Sequence, residues 1–286
     1  MAFGSTIRTY FNGKWHMGDE PIMRAADHGA WLGSSVFDGA RFFEGVSPDL
    51  WAHCDRVNRS AEALMLTPTM KTDDMVALMQ EGLADFAATS AVYIRPMYWG
   101  LDGDTTAIVP KENSTGFAIC LEEFPMVAPT ASVTLTTTQF CRPVLESSVV
   151  NAKAGCLYPN NARMLAEVRQ KGYNNALVAD ALGNVAESAT ANVFMVKDGE
   201  VFTPVPNGTF LSGITRARHI KNLRADGFQV HESVLSFDDF RAADEVFMSG
   251  NMAKVTAVSE FDGTHYQMGP ITKRVREMYW DFALSR

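Results

Sequence analysis

The sequence predicts an α/β protein with mixed sheets, divided into two domains. Three observations carry that expectation. Segments read as strands and as helices occur in both halves of the chain, and in the second half they alternate. The length, 286 residues, is too long for a small module and suits one large domain or two α/β domains. Residues 125–130, Pro-Met-Val-Ala-Pro-Thr, carry two prolines and read as a linker. The expected division is 1–124, an N-terminal α/β domain, then the linker, then a second domain over 131–286.

The elements follow in order. Residues 7–16 read as a hairpin about Asn12-Gly13, a strong two-residue turn signal. Residues 34–43 read as one strand, with Gly39 marking a bulge or a close approach. A helix over 49–65 aligns Leu50, Cys54, Val57, Ala61 and Leu64 in one buried stripe, leaving Arg56 and Arg59 off it. A second helix is expected from Thr72 to Phe86, capped by Thr72-Asp73-Asp74. The strand 91–99 places Tyr93 and Arg95 on one face, where an arginine among aromatic residues needs an anion. A polar loop, 101–115, leads to a strand at 116–124.

In the second half, strands are expected at 131–141, 176–179, 192–197, 200–203, 228–234, 244–248 and 254–260. Helices are expected over 160–171, ended by Gly172, from Ser212 to Gly227, and over 271–285. Asp198-Gly199 signals a second tight hairpin.

Composition narrows the function. The chain is 47% hydrophobic and carries net charge −8 from 25 basic and 33 acidic residues, with no basic run. Nothing here offers a footprint for nucleic acid or an anionic membrane. No apolar run reaches the roughly 18 residues that span a bilayer, and no signal peptide pattern opens the chain. The four cysteines, Cys54, Cys120, Cys141 and Cys156, are scattered, as in a cytoplasmic protein with reduced thiols and no zinc site.

Chemistry centres on Val149-Val150-Asn151-Ala152-Lys153-Ala154-Gly155-Cys156-Leu157-Tyr158, where one lysine sits among small and apolar residues. An ammonium held away from water is disfavoured, and a neutral amine can attack a carbonyl. A lysine reaching from a strand end into water would look the same. Gly213-Ile214-Thr215 opens a helix with exposed N–H groups, an arrangement that cradles anions, and Gly250-Asn251 forms another small polar turn. Glu187 lies in a small-residue stretch where a solvated acid is less expected, and a carboxylate beside a pyridine nitrogen keeps that nitrogen protonated. Cys156 reads as a small packed hydrophobe. Together these are the requirements of pyridoxal 5′-phosphate.

The chain resembles the branched-chain aminotransferases of the class IV, fold-type IV pyridoxal-phosphate enzymes, from about residue 7 to the C-terminus. The matching segments are Ser35-Val36-Phe37-Asp38-Gly39-Ala40-Arg41, Arg56, Tyr93-Ile94-Arg95-Pro96, Lys153-Ala154-Gly155 with Tyr158, Glu187 with Asn192 and Phe194, Gly213-Ile214-Thr215-Arg216, and residues 243–250. The resemblance implies the two-domain fold of D-amino acid aminotransferase-like proteins, with the cofactor between the domains, in a homodimer or higher homo-oligomer. It implies that Lys153 binds the cofactor and then moves the substrate Cα proton. Glu187 would face the pyridine nitrogen and Tyr158 the ring hydroxyl. Leu211 would pack on the ring, and Arg56, Ile214, Thr215 and Asn251 would hold the phosphate. Phe37, Gly39, Arg41, Tyr93, Arg95 and Met252 would receive the substrate.

Asn251 stands where a threonine is usual in these enzymes, Leu32 where a tyrosine is, and Asp38 where a glutamate is; loop 101–115 departs from their pattern. The expected reaction passes the amine of a hydrophobic, branched-chain-like L-amino acid to a 2-oxo acid, 2-oxoglutarate. The altered pocket leaves open an (R)-selective amine or D-amino acid transaminase. The same lysine and glutamate would also serve an aminodeoxychorismate lyase. A non-enzymatic binding protein would bind no such cofactor.

Overall fold

The computed structural model describes residues 6–285. By their internal contacts they form two compact units. One runs to Met126 and includes Asn151–Leu157; the other comprises Val127–Val150 and Tyr158 onward. The lysine segment, placed by sequence in the second domain, thus packs within the first unit.

The first unit contains β1 (Ile7–Phe11), β2 (Lys14–Met17), α1 (His28–Trp31), β3 (Ser35–Phe37), β4 (Ala40–Phe42), α2 (Leu50–Ala63), α3 (Thr72–Leu83), β5 (Val92–Gly100) and β6 (Thr115–Glu123). Its antiparallel sheet runs β2-β1-β6-β5-β3, with β4 also paired to β5. The β1–β2 turn puts Asn12 at φ 50° and Gly13 at φ 79°, the left-handed pair that a two-residue hairpin demands. All four stripe residues within α2, Leu50, Cys54, Val57 and Ala61, are buried, as is Leu64 just beyond it.

Three expectations need correction here. Thr72 does not cap α3: the cap position is Lys71, without a side-chain bond, while Asp73 and Asp74 occupy the first turn, where carboxylates complement the helix dipole. The helix ends at Leu83, short of Phe86. The single strand expected at 34–43 is broken at Asp38-Gly39 into β3 and β4. A Cβ at Gly39 would strike the Tyr93 ring and hydroxyl, so glycine there makes room for a side chain of the neighbouring strand β5. Asp38 accepts from the Gly39 N–H at 2.7 Å and is drawn to α2.

The second unit contains β7 (Ser132–Thr137), α4 (Tyr158–Gln170), β8 (Asn175–Ala179), β9 (Val185–Ser188), β10 (Asn192–Lys197), β11 (Glu200–Pro204), α5 (Ile214–Ala225), β12 (Val230–Ser233), α6 (Phe237–Arg241), β13 (Glu245–Gly250), β14 (Lys254–Phe261), β15 (Thr264–His265) and α7 (Pro270–Leu284). Its sheet runs β12-β11-β10-β13-β14-β7-β8-β9, with β15 on β14. The β11–β12, β14–β7 and β7–β8 pairs are parallel. Strand β7 stops at Thr137, well before residue 141.

Both faces of the central strands are buried, which explains their continuous apolar runs. On β10, Val193 and Met195 join a core with Leu135, Val246 and Phe240. The alternate residues Phe194 and Val196 join Phe247, Ile220, Leu223 and Met278, bringing α5 and α7 onto the other face. Phe194 stacks on Phe247 with centroids 4.9 Å apart. Gly172, at φ 89°, closes α4 as its position predicts. Among the described residues no helix is long and apolar enough to cross a membrane, and no His, Cys, Asp and Glu group could hold a metal ion.

Candidate active site

In the first unit, the lysine segment is stitched to β3 and α2. The Phe37 N–H donates to the Lys153 carbonyl at 3.1 Å, and the Lys153 N–H donates to Ser60 Oγ at 3.1 Å. Val36 and Ala154 form an isolated antiparallel bridge. A Cβ at Gly155 would meet Ser35 Oγ, so a small residue is required for that approach. Lys153 is half-buried, with Nζ 5.0 Å from the centre of the Phe37 ring.

Arg56 lies one turn before Ser60 on α2. It is buried and gripped by Asp38: Nε donates to Oδ2 at 2.6 Å and Nη2 to Oδ1 at 2.8 Å. His53 Nδ1 lies 2.7 Å from the same Oδ1. Asp38 has no exposed surface. Burial alone would raise its carboxyl, but the charges of Arg56 and His53 hold it well below the usual carboxylate range. Arg59, by contrast, pairs with Asp55 on the exposed helix face.

Strand β5 carries Tyr93 and Arg95, with the Arg95 guanidinium 5.6 Å over the Tyr93 ring. The anion that Arg95 requires is supplied by Glu122 of β6, at 3.3 Å. Arg41 is sealed from solvent and donates to the Phe124 carbonyl at 2.5 Å and to Met126 Sδ. Burial pushes its guanidinium down to about 10, so it remains a cation at neutral pH. Its donors hold the chain at Phe124–Met126.

In the second unit, Glu187 is buried on β9 and forms an ion pair with Arg142. Arg142 also donates to Asn161 Oδ1 at 2.6 Å, and its own burial pushes it down to about 10. Asn192 Nδ2 donates to Glu187 Oε2 at 3.2 Å and to the Leu211 carbonyl at 3.3 Å. A Cβ at Gly213 would strike Asn192 Oδ1. Asn192 therefore ties Glu187 to the entry of α5, where Leu211, Ile214 and Thr215 lie. Gly213 caps α5 without a side-chain bond, and Thr215 is buried in the first turn. Across β10–β13, Asn192 faces Ser249, and Asn251 follows two residues on. Tyr158 begins α4 and is 40% exposed; Met252 is equally exposed.

Three functional contacts escaped sequence reasoning. Arg142 stands 45 positions from Glu187 between Cys141 and Pro143, with no local signal. Glu122 could have been found, because neighbouring antiparallel strands β5 and β6 invite a cross-strand search for the acid Arg95 needs. Lys254 read as an ordinary strand residue but is fully buried, with Nζ 2.6 Å from Asn251 Oδ1. Cys156 also needs correction: it is exposed, not packed, and partial burial of its sulfur pushes the thiol upward, away from a reactive thiolate.

Residues 35–261 match the family model of amino-transferase class IV. The branched-chain-amino-acid aminotransferase of Escherichia coli K12 is 30% identical over 284 residues, 95% of this chain and 91% of that protein. The crystal structure of an aminotransferase from Brucella abortus bound to PLP shares 57% identity and a TM-score of 0.96, covering 98% of this chain and all of that one. A branched-chain aminotransferase from Thermoproteus uzoniensis with norvaline is 25% identical, with a TM-score of 0.87 over 96% and 94% of the two chains. The chain belongs to the class IV aminotransferases, and is a fold-type IV transaminase dependent on pyridoxal phosphate.

Proposed function

We propose that this enzyme moves the amino group of an L-amino acid with a hydrophobic, branched-chain-like side chain to 2-oxoglutarate, as a homodimer. One observation carries the donor assignment. The first unit sets Lys153 Nζ 5.0 Å from the Phe37 ring and lays the Arg95 guanidinium over a second aromatic ring, that of Tyr93. A hydrophobic side chain suits the aromatic rings and a carboxylate suits the arginine.

The residues present fit the cofactor. Ser249 Oγ and Asn251 Nδ2 are buried without a hydrogen-bond partner among the described residues, and the α5 N-terminus has no side-chain cap. Donors left in this state suit a phosphate. Glu187, paired with Arg142, is a buried carboxylate that suits a protonated pyridine nitrogen. When bound, pyridoxal phosphate supplies an electron sink for the pair of electrons left at the donor's Cα.

Each residue then has a task. Arg56, Thr215, Asn251 and the Ile214 N–H would hold the phosphate. Leu211 would pack on the ring, Tyr158 would donate to its hydroxyl, and Glu187 would keep the ring nitrogen protonated. Lys153 would hold the cofactor's aldehyde and, as a free amine, would take the proton from the donor Cα. Phe37, Gly39, Tyr93 and Met252 shape the donor side-chain pocket, while Arg95 reads the carboxylate.

A second reading has its own support. Arg95 is already compensated by Glu122, so a donor carboxylate would meet a guanidinium that has an acid. A donor without a carboxylate, such as an (R)-amine, needs no such exchange. The test is kcat/KM for L-leucine with 2-oxoglutarate against (R)-1-phenylethylamine, D-alanine and aminodeoxychorismate. Leucine should lead by more than about tenfold. A lead by the amine or the D-amino acid would replace this reading with the second. Pyruvate and 4-aminobenzoate released from aminodeoxychorismate without an acceptor would make the enzyme a lyase.

A further inference from the structure

Lys254 has no exposed surface, and its backbone lies in the left-handed region at φ 65°, where lysine seldom sits. Its carbonyl meets His219 Nε2 at 3.1 Å, and its ammonium lies 5.4 Å over the Tyr279 ring. A buried ammonium is costly, and a strained backbone around it points to a use. The ammonium donates to Asn251 Oδ1 at 2.6 Å, across the turn that joins β13 to β14.

An ammonium has three donors and no acceptor, so only the oxygen end of a carboxamide can face it. The Asn251 oxygen is thereby committed, and its NH2 is turned the other way. That nitrogen is buried and has no partner among the described residues. Ser249 Oγ, two residues earlier on β13, is in the same condition. Ser249 faces Asn192, which packs against Gly213 at the start of α5.

We propose that Lys254 is a positioning residue for the cofactor phosphate: it locks the Asn251 amide so that its NH2 is presented to a phosphate oxygen. A threonine hydroxyl can rotate to donate and needs no such lock, whereas an amide has a wrong orientation to exclude. This inference rests on the assignment of Asn251 to the phosphate made above.

The test is titration of apoenzyme with pyridoxal phosphate and, separately, with pyridoxal, which keeps the aldehyde and lacks the phosphate. Lys254→Met should weaken pyridoxal phosphate by at least about tenfold, the worth of one hydrogen bond to a charged group, while pyridoxal changes by less than about twofold. In an Asn251→Thr background the same change should cost less than about threefold. Equal weakening of both ligands, unchanged affinity, or the same penalty beside threonine would overturn the proposal. Asn251→Asp decides the matter independently if Lys254→Met does not fold. It keeps an oxygen for the ammonium and removes the donor, so apoenzyme should melt no lower than wild type and bind pyridoxal phosphate at least about tenfold more weakly. A lower melting point or unchanged affinity contradicts the lock. Wild-type apoenzyme that binds no pyridoxal phosphate would instead remove the underlying assignment, and this inference with it.

Discussion

Replacing Asp38 with asparagine tests how the first unit holds Arg56. In wild type the carboxylate takes two bonds from Arg56, at 2.6 and 2.8 Å, and lies 2.7 Å from His53 Nδ1. The substituted carboxamide would retain one oxygen, and its NH2 would face an N–H donor of Arg56. Losing one charge-assisted bond costs about 2 kcal/mol, and weakening the other two about 1 kcal/mol each. The sum, about 3–5 kcal/mol, agrees with the cost of removing one partner from a buried pair. Four of the five tryptophans (Trp15, Trp31, Trp51 and Trp99) belong to the first unit, so fluorescence during denaturant unfolding reports chiefly on it. The pH dependence has a definite sign. The folded-state value of Asp38 lies below the unfolded one, so its stabilisation is complete above about pH 5 and is lost as pH falls through the folded value. The gap between wild type and Asp38→Asn should therefore narrow below about pH 4. A loss under about 1 kcal/mol, or a gap that widens on acidification, would refute the reasoning.

Further predictions concern the contacts around the cofactor and donor. Gly39→Ala puts a methyl into the Tyr93 ring and should cost about 1–3 kcal/mol by overpacking, while raising KM for the donor; unchanged KM would separate Tyr93 from the donor pocket. Arg142→Met leaves Glu187 as a buried carboxylate without its cation, so stability should fall by about 2–4 kcal/mol and kcat with it; a stable variant of normal kcat would deny the pair a role. Arg95→Ala should raise KM for amino acids more than for simple amines, and equal effects on both would show that Arg95 does not read a carboxylate.

Features set by nearest neighbours in sequence were legible. The Asn12-Gly13 hairpin, the apolar stripe of α2 and the short apolar run of β10 depend on one residue's freedom to adopt positive φ, on a period of 3.6 and on burial of both strand faces. The break at Asp38-Gly39 depends on a tyrosine more than fifty residues away and on an ion pair with α2, so the local pattern suggested only an irregularity. Helix α6 was legible in principle, because Ser236 and Asp239 form a reciprocal capping box that marks its start. The candidate site divides in the same way. Lys153, Glu187 and Thr215 announce themselves by residue type in an unusual setting. Arg142, Glu122 and Lys254 are charges whose partners lie on other elements or across a turn, and pairing of that kind leaves no period to read.

The most direct test of the account is borohydride reduction of the purified holoenzyme, followed by peptide mass mapping. Reduction fixes any bond between a lysine amine and the cofactor aldehyde. The account predicts the added pyridoxyl phosphate mass on the peptide containing Lys153, and its loss in Lys153→Ala. The mass on another lysine, Lys254 included, or on none after reconstitution with pyridoxal phosphate, would contradict it.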